Sequence, residues 1–326
     1  MKLSIAKYTV ILMMICGIGF LFHSCKKKKD PIKYKHGLFP ENLVNLYELN
    51  SNLDNTGLSE YLIQGNIATV SPSSGGGFDL EQGSIGYVFD QTTGDFRLAF
   101  GLTNDVFIKN LTDRAVRQTV NSGAYRFFCK IDGFEYFIIS SGNGGNLDFF
   151  YLKNLPMYSA NYPEIQGPFP ITLLNTAAND AYLSFNNNFD TAYFSSDRGG
   201  NYDIYTQSFL PEKSLSDQFE QPFVTSVQTD SINSVADDMC PSVHKNVMVF
   251  ASDRFGGLGG FDLYYSVLRK GKWSAPINFG PEINTEYDEF NPILGSVTDF
   301  KNSYLIFSSN RKGKDELYFT GIYLPK

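Results

Sequence analysis

The sequence is poor in the residues that most often carry metal-binding, disulfide and acid–base chemistry. Among its 326 residues there are 3 His, 4 Cys and 1 Trp. A zinc cluster or a haem-attachment site needs several His and Cys at fixed spacings, so neither can be assembled, and we expect no metal and no cofactor. A Ser-His-Asp or Cys-His site would depend on His36 or His244, and no nucleophile motif accompanies either. We therefore expect His244 to be a core or rim residue rather than a catalytic base.

Alanine is also scarce, with 13 residues, which argues against a helical bundle. By contrast there are 29 Phe, 20 Tyr and 29 Gly. Aromatic side chains favour strands, and glycine favours the tight turns between them. With 42% apolar and 19% charged residues the chain can bury a large core, which excludes disorder for most of its length. The expected fold class is all-β.

The first 24 residues have the pattern of an export signal. Two lysines precede an apolar run of about 15 residues, too short to span a membrane comfortably. The end of the run, Ser24-Cys25, resembles a bacterial lipobox. We predict a signal peptide over 1–24, lipidation of Cys25, and a flexible tether over 25–39; the alternative is ordinary cleavage with Cys25 incidental. Lipidation would anchor the protein in the outer membrane, on its periplasmic or cell-surface side.

The charge balance bears on the partners. The formal net charge is −7, and six of the lysines lie in the first 30 residues, so the remainder of the chain is more acidic still. Nucleic acid is a polyanion and is bound mainly through basic residues. We therefore expect no nucleic-acid partner and a membrane contact through the lipid anchor; the alternative is that the four lysines after Cys25 also contact anionic head groups.

A repeat organises the rest of the chain. Four segments share an apolar strand, a Ser-Ser/Asp-Arg-Gly-Gly type of turn and an acidic residue followed by aromatic residues; they lie at 140–150, 195–205, 251–265 and 308–319. The acidic positions are Asp148, Asp203, Asp262 and Glu316, which we expect to cap the turns structurally; calcium binding by the aspartates is the alternative. Asp95 is interpreted as a degenerate fifth copy.

A second motif alternates with the first. Asn175-Thr176, Asn233-Ser234 and Asn284-Thr285 each precede an acidic residue, and Asn50-Ser51 looks like the same signal. Four short strands fit each interval of 50 to 60 residues, which is typical of a β-propeller blade. We predict a propeller domain over 40–326 with five four-stranded blades, six being the alternative, closed by an N-terminal strand within 40–53.

The sequence resembles the TolB-like, WD-like propeller lipoproteins of Bacteroidetes-type bacteria. The resemblance is carried by Phe-Ser-Ser-Asp-Arg-Gly-Gly-Asn-Tyr-Asp-Ile-Tyr at 194–205 and by Asn-Pro-Ile at 291–293. It implies a propeller in the cell envelope and does not imply an enzyme. The expected function is that of a lipid-anchored, non-enzymatic module that binds an envelope protein or glycan.

The candidate site lies where the two motifs meet on one face of the propeller. Arg198, Arg254 and Arg311 occupy equivalent positions, with Asp180, Asp238, Asp288 and Glu289 nearby. One interpretation is that each arginine fixes neighbouring turns by binding a carboxylate or a carbonyl. The other is that the arginines form a ring that recognises an anionic ligand.

Two further functions stay open as alternatives. Ser195-x-Asp197-x-Gly199 resembles the Asp-box turn of sialidases, which makes a glycan-processing hydrolase the enzymatic alternative, although no paired carboxylates stand out. The other alternative is a structural component of an envelope secretion or gliding complex. Cys129 and Cys240 lie a whole blade apart, so we predict two unpaired, buried thiols.

Overall fold

The computed structural model shows an all-β chain. It describes residues 32–50, 57–58, 65–72, 78–102, 121–142, 145–154, 165–229 and 231–325, so the predicted signal peptide and Cys25 lie outside the described residues. Across these ranges no helix is long and apolar enough to cross a membrane. The described α-helix, α1, is the short segment Leu215–Phe219.

The described strands form five antiparallel sheets. Sheet 1 contains β2 (Gly57–Leu58), β3 (Gly65–Pro72), β4 (Phe78–Phe89) and β5 (Phe96–Leu102). Sheet 2 contains β6 (Asn121–Phe128), β7 (Glu135–Ser141), β8 (Asp148–Asn154) and β9 (Gln166–Pro170). Sheet 3 contains β10 (Asp180–Phe185), β11 (Thr191–Ser196), β12 (Asp203–Ser208) and β13 (Val227–Gln228).

The remaining two sheets follow the same order. Sheet 4 contains β14 (Asp238–His244), β15 (Val247–Ser252), β16 (Asp262–Arg269), β17 (Lys272–Trp273) and β18 (Ile277–Asn278). Sheet 5 contains β19 (Glu289–Ser296), β20 (Ser303–Ser309), β21 (Glu316–Ile322) and, from the other end of the chain, β1 (Val44–Asn45).

The first strands of the sheets surround a common axis. β2 contacts β6, β6 contacts β10, β10 contacts β14, β14 contacts β19, and β19 contacts β2. Sheets arranged in this way around a centre are a β-propeller, so the predicted fold class is confirmed. Asp95 was misassigned, because it lies between β4 and β5, the third and fourth strands of its sheet, and not between the second and third.

Four of the inner strands share a backbone irregularity. Gly123, Tyr182, Cys240 and Asn291 have φ values of 58°, 57°, 55° and 48°, and the strand register shifts at each of them. Left-handed backbone is unfavourable for side chains other than glycine, so the surrounding packing must enforce it. These residues line a central cavity of only about 30 Å³, which is too small for a sugar ring.

Aromatic pairs fill the space between the sheets. Phe194, Phe250 and Phe307 are fully buried at equivalent positions in the second strands of sheets 3, 4 and 5. Each stacks on a tyrosine of the third strand, with ring centroids 5.9 to 6.1 Å apart. The abundance of Phe and Tyr thus reflects one packing unit used repeatedly.

The N-terminal segment completes the core beside sheet 5. Val44 pairs with Phe319 in an antiparallel register. Phe39 is only 1% exposed and stacks on Phe300 with centroids 3.9 Å apart. Its backbone N–H donates to Asn302 Oδ1 at 2.9 Å, and its carbonyl accepts from Asn302 Nδ2 at 3.0 Å. This segment therefore belongs to the folded body.

Replacing Phe39 by Ala should lower the free energy of unfolding by about 3 to 5 kcal/mol, because it removes a buried ring and leaves a cavity. Leu38 is 47% exposed, so Leu38→Ala is the matched control, expected within about 0.5 kcal/mol of wild type. Urea unfolding followed by tyrosine fluorescence measures both. Equal stabilities of the two variants would contradict the packing role of this segment.

Candidate functional site

A buried carboxylate lies at the start of β10. Asp180 is fully buried, and its Oδ2 accepts hydrogen bonds from the Thr176 backbone N–H at 2.7 Å and the Thr176 hydroxyl at 2.9 Å. Its Oδ1 accepts a hydrogen bond from Arg198 Nη2 at 2.5 Å. A buried charge is tolerated when it is both paired and hydrogen-bonded, and Asp180 meets both conditions.

Arg198 joins three parts of the chain at this point. Besides Asp180 it donates from Nε to Ser196 Oγ at 2.9 Å and from Nη2 to the Leu174 carbonyl at 3.0 Å. Its guanidinium also lies 4.8 Å from the centre of the Tyr205 ring, within range of a cation–π interaction. One side chain thus connects its own hairpin, the first strand of sheet 3 and the loop leaving sheet 2.

The same arrangement recurs at the next two junctions. Arg254 pairs with Asp238 and donates to the Ile232 carbonyl at 2.8 Å. Arg311 pairs with Glu289 at 3.0 Å and donates to the Ile283 carbonyl at 2.6 Å. We call the three arrangements the junction clamps.

Asp288 is not the acidic member of the third clamp. Its Oδ1 accepts the Phe261 N–H at 2.9 Å and its Oδ2 accepts Asn310 Nδ2 at 2.9 Å, whereas Glu289 binds the arginine. A spacing rule in the sequence could have identified Glu289. Thr176 and Asp180 are four residues apart, as are Thr285 and Glu289, because the carboxylate binds the N–H and hydroxyl of the residue four positions before it.

The asparagine of the second motif anchors the loop to the preceding sheet. Asn175 Oδ1 accepts the Phe149 N–H at 2.8 Å, and Asn175 Nδ2 donates to the Phe149 carbonyl at 3.0 Å. Asn233 makes the same pair of bonds with Ile204, and Asn284 makes it with Leu263. At β8, β12 and β16 the asparagine side chain thus makes the pair of backbone hydrogen bonds that a neighbouring strand would otherwise make. The two motifs together tie each of these sheets to the next.

The clamp arginines are therefore engaged inside the protein. Their side chains are 14 to 17% exposed, and the three partner carboxylates are 0% exposed. The structure brings together Arg198 with Asp180 and Arg254 with Asp238, as expected, in the geometry of the turn-fixing interpretation. Recognition of an anionic ligand by the arginines stays a prediction.

The acidic residues of the turns differ from one another. Asp262 accepts the Leu258 N–H at 2.6 Å and the Gly259 N–H at 3.3 Å, which is the expected kind of turn contact. Glu316 instead accepts a bond from Asn45 Nδ2 at 2.6 Å. Asp203 is 6% exposed and accepts Gln228 Nε2 at 2.5 Å. Asp148 is half-buried and accepts Asn146 Nδ2 at 3.3 Å.

Two of these carboxyl groups, Asp148 and Asp203, have a raised pKa. Burial raises the pKa of Asp148, and the charge of Asp180 raises it further. Burial likewise raises the pKa of Asp203, with the charge of Asp238 adding to it. Each is thus an acid beside an arginine-bound carboxylate. Asp148 combines this environment with partial access to solvent.

Two cysteines and one histidine lie in or next to the first strands of sheets 2 and 4. Cys129 and Cys240 are unpaired and buried, so the predicted free thiols are confirmed. His244 is half-buried at the end of β14, and burial, with a smaller effect from Lys245, lowers its pKa to about 4. Among the residues that the structure describes, no group of three or more His, Cys, Asp or Glu could hold a metal ion.

Comparisons with known proteins bear on the fold. No family model matches the chain, and no curated protein matches it. A mutant of a GH43 protein from Bacillus licheniformis is similar in structure, with a TM-score of 0.50, 9% identity, 87% of this chain covered and 55% of that chain.

A GH43 endo-arabinanase from the same organism has a TM-score of 0.44 and 10% identity, with 85% of this chain and 97% of that chain covered. A putative TolB from Agrobacterium tumefaciens has a TM-score of 0.40 and 10% identity, with coverages of 82% and 76%.

These comparisons correct one expectation. The sequence interpretation treated a propeller of this kind as a module that binds without chemistry, and therefore as no enzyme. The similar structure with a TM-score of 0.50 is that of a GH43 protein, and GH43 is a family of glycoside hydrolases. At such low identity the likeness concerns the fold alone. It nevertheless removes the premise that a propeller of this kind only binds. The expectation of a non-enzymatic binding module was wrong.

Replacing Arg254 by Ala should lower the free energy of unfolding by about 3 to 5 kcal/mol, because Asp238 would stay buried without its charge partner. Lys312 is 59% exposed, forms a 3.8 Å ion pair with Glu316 and lies 5.9 Å from the centre of the Tyr318 ring, so Lys312→Ala should change stability by less than about 1 kcal/mol. Urea unfolding compares the two variants. A loss below 1 kcal/mol for Arg254→Ala would mean that the clamp is not structural.

Proposed function

We propose that the protein is a hydrolase that acts on a glycan at the face where the junction clamps lie, with Asp148 as the proton donor. The observation that carries the proposal is the environment of Asp148. It is a half-buried carboxyl group whose pKa is raised by burial and by a neighbouring charge. Glycan hydrolysis uses a carboxylic acid to protonate the leaving oxygen, and a raised pKa favours the protonated form of that acid.

Asp180 supports this role by its charge and not by contact with substrate. It is fully buried and bound by Arg198 and Thr176, so a sugar cannot reach it. Its negative charge lies close enough to Asp148 to disfavour the ionised form of that group. Asp180 is accordingly a positioning residue, and Arg198 holds it in place.

The fold is compatible with this proposal. A propeller presents loops from several sheets on one rigid face, which suits a polymeric substrate. The central cavity of about 30 Å³ keeps a glycan on the surface, because no sugar ring fits inside. The glycosidases of similar architecture include enzymes named for arabinan and arabinofuranoside substrates, and these sugars are the first to test here.

Hydrolysis should be measured with arabinan, xylan and aryl arabinofuranosides and xylosides. Asp148→Asn should lower kcat at least about 100-fold, since general acid catalysis contributes 10²- to 10⁴-fold. Asp203→Asn is the matched control: its pKa is raised in the same way, but it is 6% exposed and bound to Gln228, so activity should persist.

Two negative results would have different meanings, one for the hydrolase proposal and one for the role of Asp148. No release of sugar from any substrate would overturn the hydrolase. Activity that survives Asp148→Asn would overturn the role of Asp148 alone. An aryl glycoside with a good leaving group should be less affected by Asp148→Asn, because it needs little protonation.

We also infer the finer features of the architecture. A ring of five blades closed by β1 is supported by the five sheets and by the pairing of Val44 with Phe319. Membership of the TolB-like lipoproteins, a propeller domain over 40–326 and an outer-membrane location are part of the same proposal, supported by the repeated motifs and by Ser24-Cys25.

Export and anchoring can be tested with the full chain. Cys25→Ala should move the protein from the membrane fraction to the soluble fraction, because the acyl chains would be absent. Cys16→Ala, which lies inside the apolar run of the predicted signal peptide, is the control and should stay in the membrane fraction. Retention of the Cys25→Ala protein in the membrane would overturn the lipoprotein assignment.

A further inference from the structure

A second cavity opens on the opposite face of the propeller. It lies where β6, β10, β14 and β19 end, and its volume is about 370 Å³. That volume falls in the range of small-molecule sites and suits a ligand with one ring. We call this cavity the hairpin-face pocket, because the turns between first and second strands surround it.

The walls of the hairpin-face pocket are aromatic. Tyr125, Phe127, Phe185 and Tyr304 are all under 8% exposed and line the pocket together with Phe189. Phe127 and Phe189 stack with centroids 4.9 Å apart. These rings give the pocket an apolar wall against which a flat apolar body can pack.

The ionisable groups at the hairpin-face pocket are basic. Lys130 and His244 line it, and Lys245 follows His244 in the chain. None of the described residues that line the pocket is a carboxylic acid. In a protein with a formal net charge of −7, this is a local reversal of sign. The field in the pocket favours an anion and opposes a cation.

Three hydrogen-bonded residues, Lys245, Ser296 and His244, form the polar side of the hairpin-face pocket. Lys245 Nζ donates to Ser296 Oγ at 3.0 Å, and Ser296 Oγ lies 2.8 Å from His244 Nε2. The ammonium group donates to Ser296, and the tautomer of His244 sets the direction of the Ser296–His244 hydrogen bond. With its pKa lowered to about 4, His244 is neutral at pH 7, and the two lysines supply the charge.

We propose that the hairpin-face pocket binds a small carboxylate with a flat apolar body, the carboxylate facing Lys130 and Lys245 and the body packing against the aromatic side chains that line the pocket. The inference is independent of hydrolysis on the other face. A neutral sugar would leave the lysine charges unmatched, and a phosphate would leave the aromatic wall uncovered. An aromatic carboxylate satisfies both parts.

Binding of benzoate to the full folded domain, measured by calorimetry and by NMR shifts, tests the proposal directly. Benzoate should bind at least 10-fold more tightly than benzamide, which has the same shape and no charge, and benzylamine should bind more weakly than either. Equal binding of benzoate and benzamide, tighter binding of benzylamine, or no saturable binding of benzoate would overturn it.

Variants locate the site. Lys130→Gln and Lys245→Gln should each weaken benzoate binding about 5-fold or more, whereas Lys272→Gln, an exposed lysine of β17 outside the pocket, should leave it unchanged. Because the three lysines are exposed, none of these changes should unfold the protein. Asp148→Asn should bind benzoate like wild type, so a failed hydrolase test does not affect this result. Equal loss in all three lysine variants would assign the effect to net charge and overturn the site.

Discussion

The arginine–carboxylate pair at the junctions of sheets 2 and 3, 3 and 4, and 4 and 5 is the interaction on which the arrangement of these sheets depends. Propeller sheets are joined by short loops and packed through aromatic side chains, and such packing alone would allow neighbouring sheets to slide. Arg198 removes that freedom because it binds the carboxylate of its own first strand and the Leu174 carbonyl of the preceding loop. Its donors are held in a rigid plane, which makes the geometry specific as well as favourable.

A fixed ring separates the two faces of the molecule. The left-handed residues Tyr182, Cys240 and Asn291 line a central cavity of about 30 Å³, which is too small for a sugar ring. On one face each clamp holds a buried carboxylate, and burial, together with the charge of Asp180, raises the pKa of Asp148. On the other face, basic residues lie beside an aromatic wall. Each face therefore has its own electrostatic character, and chemistry on one need not depend on binding to the other.

Much of the fold follows from the sequence because the chain repeats itself. The turn motif places Arg198, Arg254 and Arg311 at equivalent positions, and the structure confirms the propeller and the two unpaired thiols. The identity of the third carboxylate was not found, since Asp288 and Glu289 are adjacent and only the spacing from Thr285 separates them. Asp95 was misassigned because sheet 1 lacks the repeat.

The functional surfaces were harder to predict. Asp148 and Asp203 look alike in the sequence, and only their burial distinguishes an accessible acid from a hidden one. The hairpin-face pocket gathers side chains from four sheets, including Lys130, His244 and Ser296, which are far apart in the chain. No local sequence pattern predicts such a set, because these side chains come together only when the sheets pack around their common axis.

A double-mutant cycle between Arg254 and Asp238 tests the central claim most directly. Urea unfolding of wild type, Arg254→Met, Asp238→Asn and the double variant gives the coupling free energy of the clamp. A structural clamp predicts a coupling of about 2 kcal/mol or more, with the double variant more stable than the sum of the single losses would allow. Losses that add to within about 0.5 kcal/mol would show that the two side chains do not act together and would contradict the account.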